Sequence, residues 1–161
     1  MTEPDFAARA DRLFHEGYNC AQAVLQAVAE GAGLSCPACI PHVALGMGGG
    51  IGHTGRTCGA ATGAVLAIGL AVSRFSPAPL PDKKKQANAL SGDFLRRFQA
   101  EFGTTECERI IGLAWTEPDA TRRFQESGVR DSKCTPCVRW AAEEAMRAVQ
   151  PLAKATASPL E

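Results

Sequence analysis

Asn19-Cys20-Ala21-Gln22-Ala23-Val24-Leu25-Gln26-Ala27-Val28-Ala29-Glu30-Gly31 is the stretch on which the fold reading turns. Asn19 is a good N-cap, and Gln22 stands three positions on, where its side chain can reach back to the cap as a capping box. Ala23, Val24, Ala27 and Val28 follow at helical spacing, and the helix stops near Gly31. This segment predicts an α-helix that starts on a cysteine.

The same periodicity extends outward in both directions. On the N-terminal side, Pro4 to about His15 carries Phe6, Ala7, Ala10, Leu13 and Phe14 at helical spacing, interrupted by Gly17. On the C-terminal side a short helix is expected over Pro37 to Leu45. The segment Gly46 to Gly55 is too rich in glycine for a regular element. A further helix should start near Thr54 or Thr57 and run to about Ser73, followed by the stiff connector Ser76-Pro77-Ala78-Pro79-Leu80-Pro81. Asp82 opens a helix that ends near Gly103, with Leu90, Phe94, Leu95, Phe98 and Phe102 on its apolar side. Thr105 and Glu108 form a capping-box pattern for a shorter helix through Ile110 and Ile111, closed by Gly112. Pro118 to Gln125 reads as another short helical turn. Thr135 as N-cap and Pro136 as first helical residue begin a last helix to about Gln150, and residues from 151 on read as a frayed tail. With almost no alternating pattern, no internal repeat and no second domain, residues 1–161 are expected to form an all-α, single-domain helical bundle with a glycine-rich loop.

Composition narrows the function. Lys+Arg and Asp+Glu are 17 each, so the formal net charge is zero, which argues against nucleic-acid binding because phosphate contacts need a basic surplus. The longest uncharged run, between Arg56 and Arg74, sits at the lower edge of bilayer-spanning length and is polar at both ends; no membrane span is expected. Cysteine is the outlier: Cys20, Cys36, Cys39, Cys58, Cys107, Cys134 and Cys137. The N-terminus lacks the basic-then-apolar layout of a secretory signal, so a cytoplasmic, reduced protein is expected. In that compartment cysteines more often hold metal or do redox chemistry than form structural disulfides.

Cys20, Cys58, Cys107 and Cys137 are each expected in the first turn of a helix, with Cys134 just outside the Thr135 cap. Free amides and the positive end of the helix dipole favour a thiolate there, the form that binds metal and attacks disulfides. Gly49 and Gly50, with Gly48 and Gly52, permit positive φ and let backbone amides approach an anion or cluster. Gly59 and Gly63 are one helical turn apart and favour close helix packing.

Gly17-Tyr18-Asn19-Cys20-Ala21-Gln22-Ala23-Val24, Gly48-Gly49-Gly50-Ile51-Gly52 leading into Cys58-Gly59-Ala60-Ala61-Thr62-Gly63, Cys107-Glu108-Arg109-Ile110-Ile111-Gly112, and Cys134 with Val138 and Ala141-Ala142-Glu143 resemble the C_GCAxxG_C_C family of redox-active proteins. The resemblance runs from about Phe6 to Val149. It implies a helical protein whose four hallmark cysteines map onto Cys20, Cys58, Cys107 and Cys134. The sequence is also similar to a domain of the split-Soret cytochromes, and that likeness implies an iron-sulfur centre at these cysteines. Cys36, Cys39 and Cys137 are extra to the pattern. Neither close pair is followed by His, so covalent c-type haem is not expected.

Three readings stay open. The first is an electron-transfer protein with an iron-sulfur cluster, two-iron two-sulfur favoured, on Cys20, Cys58, Cys107 and Cys134. The second is a zinc or metal-storage protein using the pairs Cys36/Cys39 and Cys134/Cys137. The third is a thiol protein without metal, through Cys36-Pro37-Ala38-Cys39 exchange or with Cys58 as nucleophile and His53 as base. A redox partner protein is expected, and the chain could form a homodimer. Lys83, Lys84 and Lys85 read as a solvated helix start, with docking of an acidic redox partner as the alternative. Trp115, Trp140 and the Phe94/Phe98/Phe102 stripe read as core or dimer surface.

Overall fold

A computed structural model describes residues 5–157. Seven α-helices follow one another: α1 Phe6–His15, α2 Cys20–Gly31, α3 Gly59–Phe75, α4 Leu80–Phe102, α5 Cys107–Ile111, α6 Ala120–Glu126 and α7 Thr135–Ala157. A 3-10 turn, His42–Met47, lies between α2 and α3, and a π-helical turn, Arg130–Cys134, leads into α7. Among the described residues the only β feature is an isolated bridge between Thr57 and Glu106. The fold is all-α, and no described helix is long and apolar enough to cross a membrane.

The capping box at α2 forms as its sequence predicts: Asn19 Oδ1 accepts from the Gln22 amide, and the Asn19 amide donates to Gln22 Oε1. Asn19 also donates through Nδ2 to the carbonyls of Ala44 and Leu45, at 3.1 and 3.0 Å. One side chain thus caps α2 and ties its start to the 3-10 turn before the glycine loop.

The core is built from α1, α2, α3 and α7, with α3 packed chiefly on α2 and α7. Its contact faces are rich in alanine: Ala21, Ala27, Ala60, Ala64, Ala67, Ala141 and Ala145 are all buried. Side chains this small let helix axes come close. At Gly63 the approach is closest, for a methyl built there would lie 2.8 Å from Ala21 Cα and overlap the Ala21 carbonyl oxygen. The aromatic stripe of α4 packs inward on α7, with Trp140 centred 5.6 to 5.8 Å from Phe94, Phe98 and Phe102. Buried Glu144 on α7 pairs with Arg97 of α4 and Arg147 of its own helix.

The structure departs from the sequence expectations at several helix ends. Residues 37–41 form turns, and only His42–Met47 winds into a 3-10 helix. The helix expected from Thr54 or Thr57 begins at Gly59, because the chain before it is held extended: the Cys58 amide donates to the Thr105 carbonyl at 2.7 Å. Cys58 is therefore the N-cap, not a first-turn residue. The Thr105/Glu108 capping box does not form. Glu106 takes the N-cap position of α5, and the orphan amides of Cys107 and Glu108 donate to the carbonyls of Arg56 and Gly55.

Thr135 is not a cap either. It has helical φ and ψ, and its amide donates to the Arg130 carbonyl, which carries the π turn straight into α7. The expected frayed tail is helical through Ala157 despite Pro151, helped by Thr156, whose hydroxyl donates to the Phe75 carbonyl at 3.1 Å. Residues 158–161 of that tail lie outside the described residues.

Replacing Gly63 by Ala is expected to destabilise the fold by about 1–3 kcal/mol, because the added methyl meets backbone that cannot swing aside. Thermal melting would check this, with Gly69→Ala as control, since nothing lies within 4 Å of a methyl at that position.

Candidate functional site

Segments 55–58 and 105–108 lie side by side, joined by the Thr57–Glu106 bridge. Three backbone hydrogen bonds connect them: Cys58 amide to Thr105 carbonyl at 2.7 Å, Cys107 amide to Arg56 carbonyl at 2.6 Å, and Glu108 amide to Gly55 carbonyl at 3.0 Å. This pairing sets the starts of α3 and α5 next to each other, and with them Cys58 and Cys107. Close packing brings α2 to the same place, since a methyl on Gly59 would overlap Cys20 Sγ. The π turn delivers Cys134.

Cys20, Cys107 and Cys134 border one cavity of about 240 Å³. Cys58 lies just behind it, near enough for its charge to act on all three. The four cysteines come from α2, the α3 cap, α5 and the π turn, and are separated by up to 114 positions (134 − 20) in the chain.

The glycine loop forms one wall. From Gly49 to His53 every residue has positive φ: Gly49 62°, Gly50 73°, Ile51 63°, Gly52 61° and His53 57°. This is a single left-handed turn, closed by bonds such as Gly52 amide to Gly46 carbonyl at 2.8 Å and Gly55 amide to Gly49 carbonyl at 3.0 Å. Gly49 lines the cavity, while Gly50 is buried beside Cys107, where an added Cβ would lie 2.7 Å from the cysteine Cβ. Ile51 and His53 adopt the left-handed conformation without glycine's freedom, at a cost of roughly 1–2 kcal/mol each.

His53 and Trp115 complete that wall. Their rings stack at 4.4 Å between centroids and 9° between planes, and Phe124 packs against the indole at 5.1 Å with its plane tilted by 46°. The Trp115 indole N–H lies near enough to Cys107 to lower its pKa, and Nε1 is buried without a hydrogen-bond partner. Across the cavity, the Arg130 guanidinium stacks 4.5 Å above the Phe14 ring and donates to the Phe14 carbonyl, while its Nε is buried without a partner. Its charge acts on Cys134, four residues along the chain.

The thiols are not the helix-stabilised thiolates expected from their positions. Burial raises the pKa of Cys20 far above its ordinary value, and the charges of Cys58 and Cys107 add to the rise. The amides of Ala21 and Cys20 pull the other way and lose. Cys58 is raised by hydrogen bonding with the Cys137 thiol and then by burial, against the amides of Ala60 and Ala61. Burial pushes Cys107 up to about 11, opposed by the Trp115 N–H. Cys134 is raised far above its ordinary value by burial and then by the other three cysteines, and Arg130 offsets only part of this. At α5 the reason is direct: its first amides are spent on carbonyls of segment 55–58, so they are not free to face sulfur.

Cys36 and Cys39, by contrast, are bonded to each other as a disulfide, and Cys36 borders a separate groove. They are not free to serve as thiolate ligands alongside Cys134 and Cys137. Cys58 does not line the cavity that His53 lines, and it interacts with Cys137 instead; the structure does not bring the nucleophile–base pair of Cys58 and His53 together. Trp115, read from sequence as core or dimer surface, is a cavity wall. Arg130 was missed altogether, although its position one helical turn before Cys134 was the available signal. Cys137, an extra to the hallmark set, is the neighbour of Cys58. Among the described residues, no three Cys, His, Asp or Glu side chains converge on a single metal-ion position.

Comparison with known proteins then decides the family. The model of the C_GCAxxG_C_C family, described as "putative redox-active protein", matches residues 18–148. The chain belongs to this family. No curated protein and no solved structure matches it. The match spans the C_GCAxxG_C_C hallmarks from the Asn19 cap into α7, ends at residue 148 within that helix, and leaves out α1.

Without a cofactor, the buried thiols make the C_GCAxxG_C_C fold sensitive to alkali. A folded-state pKa above that of the unfolded chain means the native state holds more protons, so stability falls as pH rises. For Cys107 the loss begins near the ordinary thiol value of 9.0 and is complete above about 11. Urea midpoints of the metal-free chain should therefore fall between pH 9 and 11, and replacement of Cys107 by Ala should flatten that dependence.

Proposed function

We propose that this C_GCAxxG_C_C protein is an electron carrier whose redox centre is an iron-sulfur cluster, two-iron two-sulfur in type, held by Cys20, Cys58, Cys107 and Cys134. The observation that carries the reading is the gathering of four cysteines from four separate segments, three of them bordering one cavity and Cys58 just behind it. Four thiolates are the usual ligand complement of such a cluster, which supplies one-electron transfer when bound.

The donor set fits the group on chemical grounds. Three of the four cysteines border a space of about 240 Å³, with Cys58 behind it, and the set does not close on a point, which suits a group of several atoms better than one zinc ion. Four protonated thiols crowded together are unfavourable sites for negative charge, and a cationic group would remove that penalty and release their protons. The zinc alternative is weakened by the bond between Cys36 and Cys39, which takes one of its two pairs.

The chain's own residues would perform three tasks. Asn19 and the 55–58/105–108 pairing hold the cysteine-bearing segments in register. The left-handed turn, His53, Trp115 and Phe124 cover the cavity and limit water. Trp115 N–H and Arg130 place positive potential beside Cys107 and Cys134, which favours the reduced, more negative state.

Anaerobic purification or reconstitution with iron and sulfide, followed by absorption and electron paramagnetic resonance, tests the reading. Serine at position 20, 58, 107 or 134 is expected to abolish or strongly reduce the chromophore, whereas Cys36→Ser, Cys39→Ser and Cys137→Ser retain it. A chromophore that survives all four hallmark replacements would overturn the assignment, as would its loss in the Cys36 and Cys39 variants alone.

Replacing Trp115 by Phe keeps the ring stack but removes the donor. Cluster content should stay unchanged while the midpoint potential falls, measured by redox titration of the visible absorption.

A further inference from the structure

We propose that Cys36 and Cys39 form a second redox site, separate from the four-cysteine cavity, that exchanges electron pairs with a small, uncharged dithiol. The proposal stands on this loop's own geometry and holds whether or not a cluster occupies the other site. Neither cysteine belongs to the hallmark set, and the two are bonded to each other with Cα atoms 5.3 Å apart.

The backbone keeps the pair together independently of the sulfur bond. Cys36, Pro37, Ala38 and Cys39 make a turn in which the Cys39 amide donates to the Cys36 carbonyl at 2.8 Å, and the Ile40 amide donates to the same oxygen at 2.8 Å. Pro37 occupies the second position of this turn, where its fixed φ is already suitable. After reduction the two thiols remain poised to close again.

Access is unequal. Cys39 is exposed, whereas Cys36 is half-buried and borders a groove of about 530 Å³ that also includes Tyr18, Leu34 and Ile40. The charges in the groove cancel, since Arg9 donates to both carboxylate oxygens of Glu30 at 2.7 and 3.0 Å. It therefore offers no free cation to an anionic thiol, and an uncharged donor fits better.

The exchange follows from these positions. One thiolate of the donor attacks Cys39 Sγ and forms a mixed disulfide, while the Cys36–Cys39 bond breaks and Cys36 leaves as thiolate and takes a proton. The donor's second thiolate then attacks its own sulfur in the mixed disulfide, closes the donor's disulfide and releases Cys39 as a thiolate, which is protonated. Two electrons pass from the dithiol to the pair. A monothiol lacks the second step, and Cys36, held by the turn, expels it by re-forming the original bond; the high effective concentration within the turn decides the outcome.

The test uses the full chain, folded, equilibrated without oxygen in mixtures of reduced and oxidised lipoamide. Acid quenching, alkylation and mass mapping of Cys36 and Cys39 read the state of the pair. The expected result is a reversible transition in which both cysteines gain or lose the label together, with little opening by glutathione at equal thiol concentration. Changing Pro37 to Gly should lower the equilibrium constant for closure by roughly two- to fivefold, because the free loop samples more conformations. The proposal is overturned if the pair never closes in excess oxidised lipoamide, if it opens only after denaturation, or if glutathione opens it equally well. A cluster spectrum unchanged by Cys36→Ser separates this result from the fate of the four-cysteine reading.

Discussion

The pairing of residues 55–58 with residues 105–108 is the constraint on which the site depends. It uses main-chain groups that a helix start would otherwise leave without partners: the amides of Cys107 and Glu108 find the carbonyls of Arg56 and Gly55. The same contact sets where α3 begins, fixes Cys58 as its cap and holds α5, a helix of only five residues, against the core. So short a helix has almost no stability of its own. Its position is therefore a property of the pairing.

The remaining cysteines are brought in by side-chain size and by one amide. Gly63 and the buried alanines let α2 and α3 approach until Cys20 meets Gly59, and Asn19 ties that end of α2 to the 3-10 turn. The left-handed turn that follows fills the space beside Cys107. Two non-glycine residues accept an unfavourable backbone conformation there, and such strain persists only where the surroundings over-determine it. Here those surroundings are the Trp115 stack and the loop's own hydrogen bonds.

Electrostatics separates an assembled sulfur site from an active one. Each helix start does direct amides at Cys20 and Cys58, yet at Cys20 burial and the neighbouring cysteines, and at Cys58 the Cys137 thiol and then burial, outweigh those amides and leave the thiols protonated. The favourable field at a helix N-terminus is worth about 1 kcal/mol at exposed positions, while full burial can move a pKa by several units. A group bound among these sulfurs would have to supply the positive charge that the protein itself only partly provides through Arg130.

Helices were legible because apolar spacing is local: Phe6 to Phe14, Ala23 to Val28 and the stripe from Leu90 to Phe102 each carry a complete periodic signal. The positive φ of Gly49 and Gly50 was legible from the glycine run. The local pattern fails where another segment decides the outcome. Thr105 lost its capping role because the pairing with residues 55–58 keeps it outside the helix, where Glu106 takes the N-cap position, and Thr135 lost its own because the π turn ran through it. The helix past Pro151 found support on Phe75, which no local pattern announces. Trp115 reads from sequence as core or dimer surface, and only its stack on His53 puts it at the cavity.

The sequence by itself determined that the chain is helical, where most helices lie, and which four cysteines share a hallmark, since each of these rests on residues close together or on a fixed motif. Only the tertiary structure decided that three of those cysteines border one cavity with the fourth behind it, that burial holds them as thiols, and that Cys36 and Cys39 stand apart. Convergence depends on backbone pairing and helix contact between distant segments, and desolvation depends on everything packed around the site.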